Sequence, residues 1–339
     1  MDTVERRKKK KPSIKDVAKK SGVSTATVSH VINGTRYVSD EVSAMVKAAM
    51  KELNYIPNPI ARSLRSHQTS LVGLIIPVKE PSDTANLFFM AIAQGIESIL
   101  RKKGYKLILS NSHEDKKLEQ EQIEMFNAQL VDGLIIAPLG NEYDEMNVQY
   151  PVVFIDRKPK TYQGACVLAN HFQGAYEATE YLIKQGHEQI GFINGNIGLT
   201  IDRDRFEGYR KALLDNGIPY SENNVKEGSV SLDQGYSLAK ELVEQKNVSA
   251  IFIANSNLTM GAISYFQQSN TKIPDEMAII GFDDYEWAEI INPPLSCVRQ
   301  PAFAIGQKAA EVLLERIENG ERKSAEYLLD TELIVRKSC

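Results

Sequence analysis

The residues with the clearest chemical potential lie between Ser24 and Asn33. Thr25, Ala26, Thr27, Ser29 and His30 are small or hydrogen-bonding side chains that fall on one face of a short helix, a surface suited to close approach to base edges in a DNA major groove. Groups that could do catalysis are weaker. Asp283-Asp284 is a carboxylate pair, but adjacent residues at a strand end point apart, and no His, Ser or Cys is spaced to act with them. Gly195-Asn196-Ile197-Gly198 is too sparse for a phosphate loop and lacks the Gly-Lys-Ser/Thr ending. Cys166, Cys297 and Cys339 show no CxxC or Cys/His spacing, so neither a zinc site nor a disulfide framework is expected, and a reducing cytoplasm is the default. The sequence is therefore read as that of a non-enzyme with no cofactor and no metal.

The reading face needs two helices to hold it. Ser13 caps the first with Asp16 three positions on, and Ile14, Val17 and Ala18 form its apolar stripe. After the tight Gly22-Val23-Ser24 turn, Ser24 caps the second helix, which turns Val28, Val31 and Ile32 inward. A third helix is predicted from about Asp40 to Leu53, with Ser39 as cap and Val42, Met45, Val46, Ala49 and Leu53 as its buried stripe. A helical hairpin used for docking another protein would look similar. Against it stands the run Arg6-Arg7-Lys8-Lys9-Lys10-Lys11 just upstream, which suits a phosphate-seeking arm. Residues 1–70 hold 14 Lys and Arg against 6 Asp and Glu, while the remainder carries a net charge of −12. One end favours polyanions and the rest does not. Between Tyr55 and His67, Asn58 and Pro59 can start a helix of only about two turns, which is marginal alone and is expected to order on DNA.

From Ser70 short apolar runs alternate with amphipathic helices. The predicted strands are 71–78, 106–109, 133–137, 152–155, 190–193, 250–254 and 278–282, and the predicted helices are 87–103, 172–185, 202–216, 233–245, 259–268 and 303–317. This alternation calls for doubly wound parallel sheets, and the pattern restarts after about Asp156, so two similar α/β lobes with a cleft between them are expected. The expected domains are a basic tail (1–12), a helix-turn-helix headpiece (13–56), a hinge helix and linker (57–69) and a two-lobe body for effector binding and dimerisation (70–339). No apolar run approaches membrane-spanning length and nothing reads as a signal peptide, so cytoplasmic localisation is expected.

Ile14-Lys15-Asp16-Val17-Ala18, Val23 through Asn33, Leu53 through Asn58, Ala61-Arg62-Ser63-Leu64 and Gly281-Phe282-Asp283-Asp284 together resemble the LacI/GalR family of bacterial transcriptional repressors. The resemblance covers essentially the whole chain after the basic tail, and the headpiece is most similar to those of purine-responsive members. It implies an α-helical headpiece and a body like the type I periplasmic binding proteins. By that resemblance Thr25, Ala26 and His30 occupy base-reading positions, and Ser24, Thr27, Asn33, Arg36 and Tyr55 lie near phosphates. Leu64 would wedge into the minor groove at the centre of a palindromic operator, with Arg65 entering beside it. Unstacking a base step costs a few kcal/mol, so two hinges must share it, which requires a homodimer. A terminal leucine repeat for further assembly has no counterpart.

The resemblance also places Phe88, Phe89, Asp156, Arg205, Asn255 and Asp283 at effector positions, with Trp287 able to stack on a sugar ring. Arg205 offers planar paired donors and Asp283 accepts two hydroxyls, which fits a sugar or sugar acid. Other readings stand beside these: Phe88 and Phe89 as core residues, Trp287 as a cover over the interlobe hinge, and Arg205 with Asp283 as an interlobe salt bridge. Leu199 stands where purine-responsive members carry an arginine, which argues against a purine effector. The expected function is thus a repressor of carbohydrate uptake or catabolism genes. The alternatives are global catabolite control through a phosphorylated carrier protein and, from another class, a sugar transport receptor, against which the headpiece counts. Leu64→Ala should weaken binding to an operator with a flexible central step far more than binding to non-specific DNA; equal losses in fluorescence anisotropy would contradict the wedge.

Overall fold

The computed structural model describes residues 12–56, 69–80, 83–129, 131–140, 143, 146, 148–161, 164–195, 200–245, 248–320 and 324–339. The basic arm and the hinge with Asn58, Pro59, Leu64 and Arg65 lie outside these residues. The chain divides after Thr69 into two compact units.

In the first unit, α1 (Ile14–Ser21) starts where the Ser13 amide donates to Asp16 Oδ2 at 2.7 Å. It stops at Gly22, whose φ of 70° is a left-handed conformation that needs glycine. Ser24 Oγ then accepts from the Thr27 amide at 3.1 Å and opens α2 (Thr25–Asn33). α3 (Asp40–Glu52) begins at Ser39, but the Ser39 side chain makes no capping hydrogen bond; Asp40 and Glu41 in the first turn favour the helix dipole instead. Val17, Ala18, Val28, Val46 and Ala49 form the core, with Ile14, Val31, Ile32, Val42, Met50 and Leu53 around it. Met45, expected inside, is 44% exposed. Two partner helices cover only a narrow arc of α3, and Met50, one turn beyond Val46, closes that arc in its place.

In the second unit the first sheet contains β1 (Leu71–Ile76), β2 (Lys106–Asn111), β3 (Gly133–Ile136), β4 (Val152–Ile155), β5 (Ala165–Ala169) and β11 (Ala325–Leu329) in the order β11-β5-β4-β3-β1-β2. The second contains β6 (Ile190–Asn194), β7 (Val225–Glu227), β8 (Ala250–Ile253), β9 (Ala278–Phe282), β10 (Ser296–Arg299) and β12 (Glu332–Ile334) in the order β12-β10-β9-β8-β6-β7. The helices are α4 (Ala85–Leu100), α5 (Lys116–Ala128), α6 (His171–Lys184), α7 (Thr200–Asp215), α8 (Leu232–Glu244), α9 (Ser256–Ser269), α10 (Glu286–Ile290) and α11 (Ala302–Asn319).

Two expectations need correction. The first lobe does not end near Asp156: β5 still pairs with β4, so the chain first crosses at Asn170. It returns after β10, because α11 packs in the core of the first lobe and β11 pairs with β5, and it crosses a third time between β11 and β12. The second sheet is also not wholly parallel, since β12 runs antiparallel to β10. β11 arrives at the cleft with its carboxyl end, so a strand that continues directly into the other sheet must run away from the cleft, against its neighbours. Asn170 laces these crossings together, its amide donating to Leu329 O at 2.8 Å and its side chain to Asp330 at 3.3 Å.

α4 and α11 cross with their backbones in contact. A Cβ on Gly95 would lie 2.1 Å from Phe303 O, and one on Gly306 would lie 2.1 Å from Ile92 O. Gly95→Ala must push the helices apart and should cost about 1–3 kcal/mol in urea unfolding; an unchanged midpoint and slope would contradict the close crossing.

Candidate functional site

Two surfaces hold the residues singled out above. On the headpiece, Thr25 and Ala26 at the start of α2 are exposed, as are Asn33 and Arg36, while Thr27 and His30 are half-buried. Ser24 and Thr27 share a hydroxyl hydrogen bond of 2.9 Å. His30 Nδ1 is 2.9 Å from Thr35 Oγ1, and Asn33 Nδ2 donates to Ser29 O at 2.9 Å, so both side chains are held against the helix end. Tyr55 packs against the headpiece core.

In the body, β4 and β9 hold the same place in their two sheets, and each is followed by an aspartate with positive φ, 64° at Asp156 and 70° at Asp283. Aspartate tolerates this left-handed turn, and it sets both carboxyls at the carboxyl ends of the strands, where open α/β sheets take ligands. Both are buried. Desolvation pushes both carboxyls above the ordinary range, and the nearby Arg205 charge opposes that rise. Asp202, at the start of α7, is pushed up to about 6 by burial, again opposed by Arg205.

Arg205 projects from the first turns of α7 and is 3% exposed. Its Nη1 donates to Ala254 O at 2.6 Å, its Nε and Nη2 approach His171 Nδ1 at 3.3 and 3.2 Å, and its guanidinium carbon lies 3.8 Å from the centre of the Phe282 ring. Three neutral groups therefore hold it, and among the described residues no ion pair joins it to Asp283, so the salt-bridge reading is not what the structure shows. Because His171 Nδ1 accepts, the imidazole proton sits on Nε2. Burial and Arg205 together hold the His171 pKa well below its usual value. Nε2 is itself buried and finds no partner among the described residues.

Gln300 donates to Asp283 Oδ1 at 2.6 Å, which leaves the buried Gln300 Oε1 without a partner among the described residues. Asp156 pairs with Arg157 Nε at 3.3 Å. A cavity of about 350 Å³ spans both lobes, lined by Asp156, Asn170 and Glu326 on one side and His171, Phe172, Thr200 and Arg203 on the other. Its size is at the low end for small-ligand sites.

The other expected residues are placed as follows. Asn255 Oδ1 caps α9, accepting from the amides of Asn257 and Leu258 at 2.9 and 3.3 Å, so only its Nδ2 is left for a ligand. Phe88 and Phe89 are 7% and 3% exposed in the first-lobe core, their rings edge to face at 5.2 Å. Trp287 on α10 packs against the second-lobe core, with a buried Nε1 that has no partner among the described residues. Leu199, like Leu64 and Arg65, lies outside the described residues. Sequence reasoning missed His171 and Gln300; both follow strands it did not register, β5 with its alanines at both ends and β10 with its polar ends.

Among the described residues no three His, Cys, Asp or Glu side chains are placed to hold a metal ion, and no helix is long and apolar enough to cross a membrane.

Comparison with known proteins matches residues 13–58 to "Bacterial regulatory proteins, lacI family" and residues 179–339 to a periplasmic binding protein-like domain. The chain is 35% identical over 332 residues to the HTH-type transcriptional repressor PurR of Vibrio campbellii, covering 96% of this chain and 98% of that one. It is 35% identical over 338 residues to the protein of the same name from Haemophilus influenzae, with 96% and 98% covered. Among solved structures it resembles the Lac repressor dimer bound to operator and the anti-inducer ONPF, with TM-score 0.86, 27% identity and 97% and 99% coverage. It also resembles the transcriptional regulator CelR in its cellobiose complex, with TM-score 0.73, 30% identity and 97% and 100% coverage.

Asp284, next to Asp283, faces away from the cleft. Arg299 Nη2 donates to it at 2.6 Å and Arg336 Nη1 at 2.7 Å, and these bonds hold its pKa below the usual range although burial opposes them. A carboxylate depressed in the folded state contributes stability above its unfolded pKa and loses it as pH falls through the folded one. Asp284→Asn should therefore cost about 2 kcal/mol at pH 7, with the deficit closing as pH falls through the depressed folded pKa of Asp284; a deficit independent of pH would contradict the pairing.

Proposed function

The chain belongs to the lacI family of bacterial regulatory proteins, and on that premise we propose a repressor whose hold on a palindromic operator changes when a sugar or sugar acid enters the interlobe cleft. That it is a DNA-binding transcriptional repressor and not an enzyme follows from the family itself. In the proposed complex Thr25, Ala26 and His30 read base edges, Ser24, Thr27, Asn33, Arg36 and Tyr55 meet phosphates, and Leu64 with Arg65 enters the minor groove at the centre of a homodimer in the cytoplasm. Phosphate contacts then give log affinity a slope of about −0.9 per neutralised phosphate against log salt.

One observation carries the effector reading. Acceptors at Asp156, Asp283 and Gln300 Oε1 and donors at His171 Nε2 and Arg205 lie in one buried cluster, of which Asp156 and His171 also line the cavity. A hydroxyl both donates and accepts, so a polyhydroxyl ligand satisfies such a mixture better than a group of one kind. Phe88 and Phe89 are committed to the first-lobe core, so neither ring is free to stack on a flat base. The CelR structure, solved with cellobiose, supports the same class. A purine effector is the second reading, favoured by the relatives named PurR, and Leu199 speaks against it. The third is a phosphorylated carrier protein as corepressor.

The test is anisotropy on a palindromic operator, titrated with sugars, sugar acids, sugar phosphates and purines. A sugar or sugar acid should shift operator affinity about 5- to 150-fold, the range of coupling between such sites. A response to purines alone, or to nothing but a phosphorylated carrier protein, would overturn the sugar reading. Arg205→Ala should keep operator affinity and lose the effector shift; a normal shift would remove Arg205 from the site.

A further inference from the structure

Beside the cleft two helix starts from opposite lobes meet through side chains. Asp83 and Thr84 precede α4 in the first lobe, and Ser256 and Asn257 open α9 in the second. Thr84 Oγ1 lies 2.6 Å from Ser256 Oγ and donates to Asn257 Oδ1 at 2.8 Å, while the Thr84 amide reaches the same oxygen at 3.3 Å. Asn257 Nδ2 completes the set by donating to Asp83 Oδ1 at 2.9 Å. Ser256 and Asn257 are 3% and 6% exposed, so these polar groups are withdrawn from water by the opposite lobe.

Two features make this more than a chance contact. Every polar atom of the Asn257 amide group engages the first lobe, so its orientation is specified from across the cleft. The Asn255 cap fixes the backbone on which Ser256 and Asn257 sit.

We propose that Asp83, Thr84, Ser256 and Asn257 form an interlobe latch that holds the cleft closed. The proposal rests on the reading of the cleft as the effector site. Neutral hydrogen bonds exchange with water at small net cost, so a latch built from them can release without unfolding either lobe. An effector that binds the closed form better gains from the latch, and one that binds the open form better must break it.

The test uses the full chain. In a T84C/S256C variant on a Cys339→Ser background, oxidation should form a disulfide between positions 84 and 256, because the hydroxyls they replace nearly touch. Peptide mapping under non-reducing conditions reads this directly. The locked protein should lose the effector-dependent shift in operator anisotropy and regain it on reduction. Asn257→Ala should speed hydrogen exchange at the Thr84 amide several-fold, while exchange in β1 and β9 stays unchanged. Failure of the disulfide to form, or unchanged exchange at Thr84, would overturn the latch. If no small molecule shifts operator affinity, the effector reading falls, yet the disulfide and the exchange rates still decide the latch. If a sugar shifts affinity but positions 84 and 256 do not couple, the latch alone is lost.

Discussion

A guanidinium keeps its charge at any pH at which a protein folds, so burying Arg205 imposes a constraint that the surrounding residues must meet. Taking such a group out of water costs several kcal/mol unless its donors are matched. Here the matching comes from a backbone carbonyl at the end of β8, from a histidine at the start of α6 and from the face of Phe282 at the end of β9. None of these neutralises it. The charge acts instead on the buried carboxyls of Asp156, Asp202 and Asp283, whose ionised forms would otherwise be hard to keep in this region. Arg205, with Arg157 beside it at Asp156 and Asp202, thus lets a water-poor cleft carry several acceptors, and Arg205 fixes the tautomer of His171 so that Nε2–H is the group left over.

The duplicated sheets explain why these groups converge. The strand orders match position for position, so the turn after β4 and the turn after β9 bring an aspartate to the cleft from each lobe in the same left-handed conformation. The three crossings of the chain run along one side of this meeting point, at Asn170, at Gln300 and at Asp330 and Thr331. Two of them carry site groups: Asn170 borders the cavity and Gln300 holds Asp283. The crossings therefore tie the geometry of the cleft to the relation between the lobes. The helix starts of α4 and α9 meet at a further point across the cleft.

The sequence showed these parts unevenly, for physical reasons. β4 and β9 are continuous apolar runs buried on both faces, so their limits were legible, and with them the aspartates that follow. Arg205 was legible through the family resemblance, since the mostly polar α7 does not single it out by periodicity. β7, β10 and β12 are three or four residues long with polar ends, and α5 places Glu119 on its buried face, which interrupts its apolar stripe. Unread strands took their flanking residues with them, which is why His171 and Gln300 escaped notice. Residue type alone also left the direction of Phe88 and Phe89 open, and packing against α11 decided it for the core.

The central claim is that a neutral His171 holds a charged Arg205 and presents Nε2–H to the cleft. The most direct measurement is the ring ¹⁵N spectrum of the histidines, of which the chain has 5, followed from pH 7 to about pH 5. One histidine, identified by its loss in a His171→Asn variant, should remain a neutral Nε2–H tautomer across this range. A His171 that titrates near pH 6.5, or carries its proton on Nδ1, would contradict the arrangement on which the site is built.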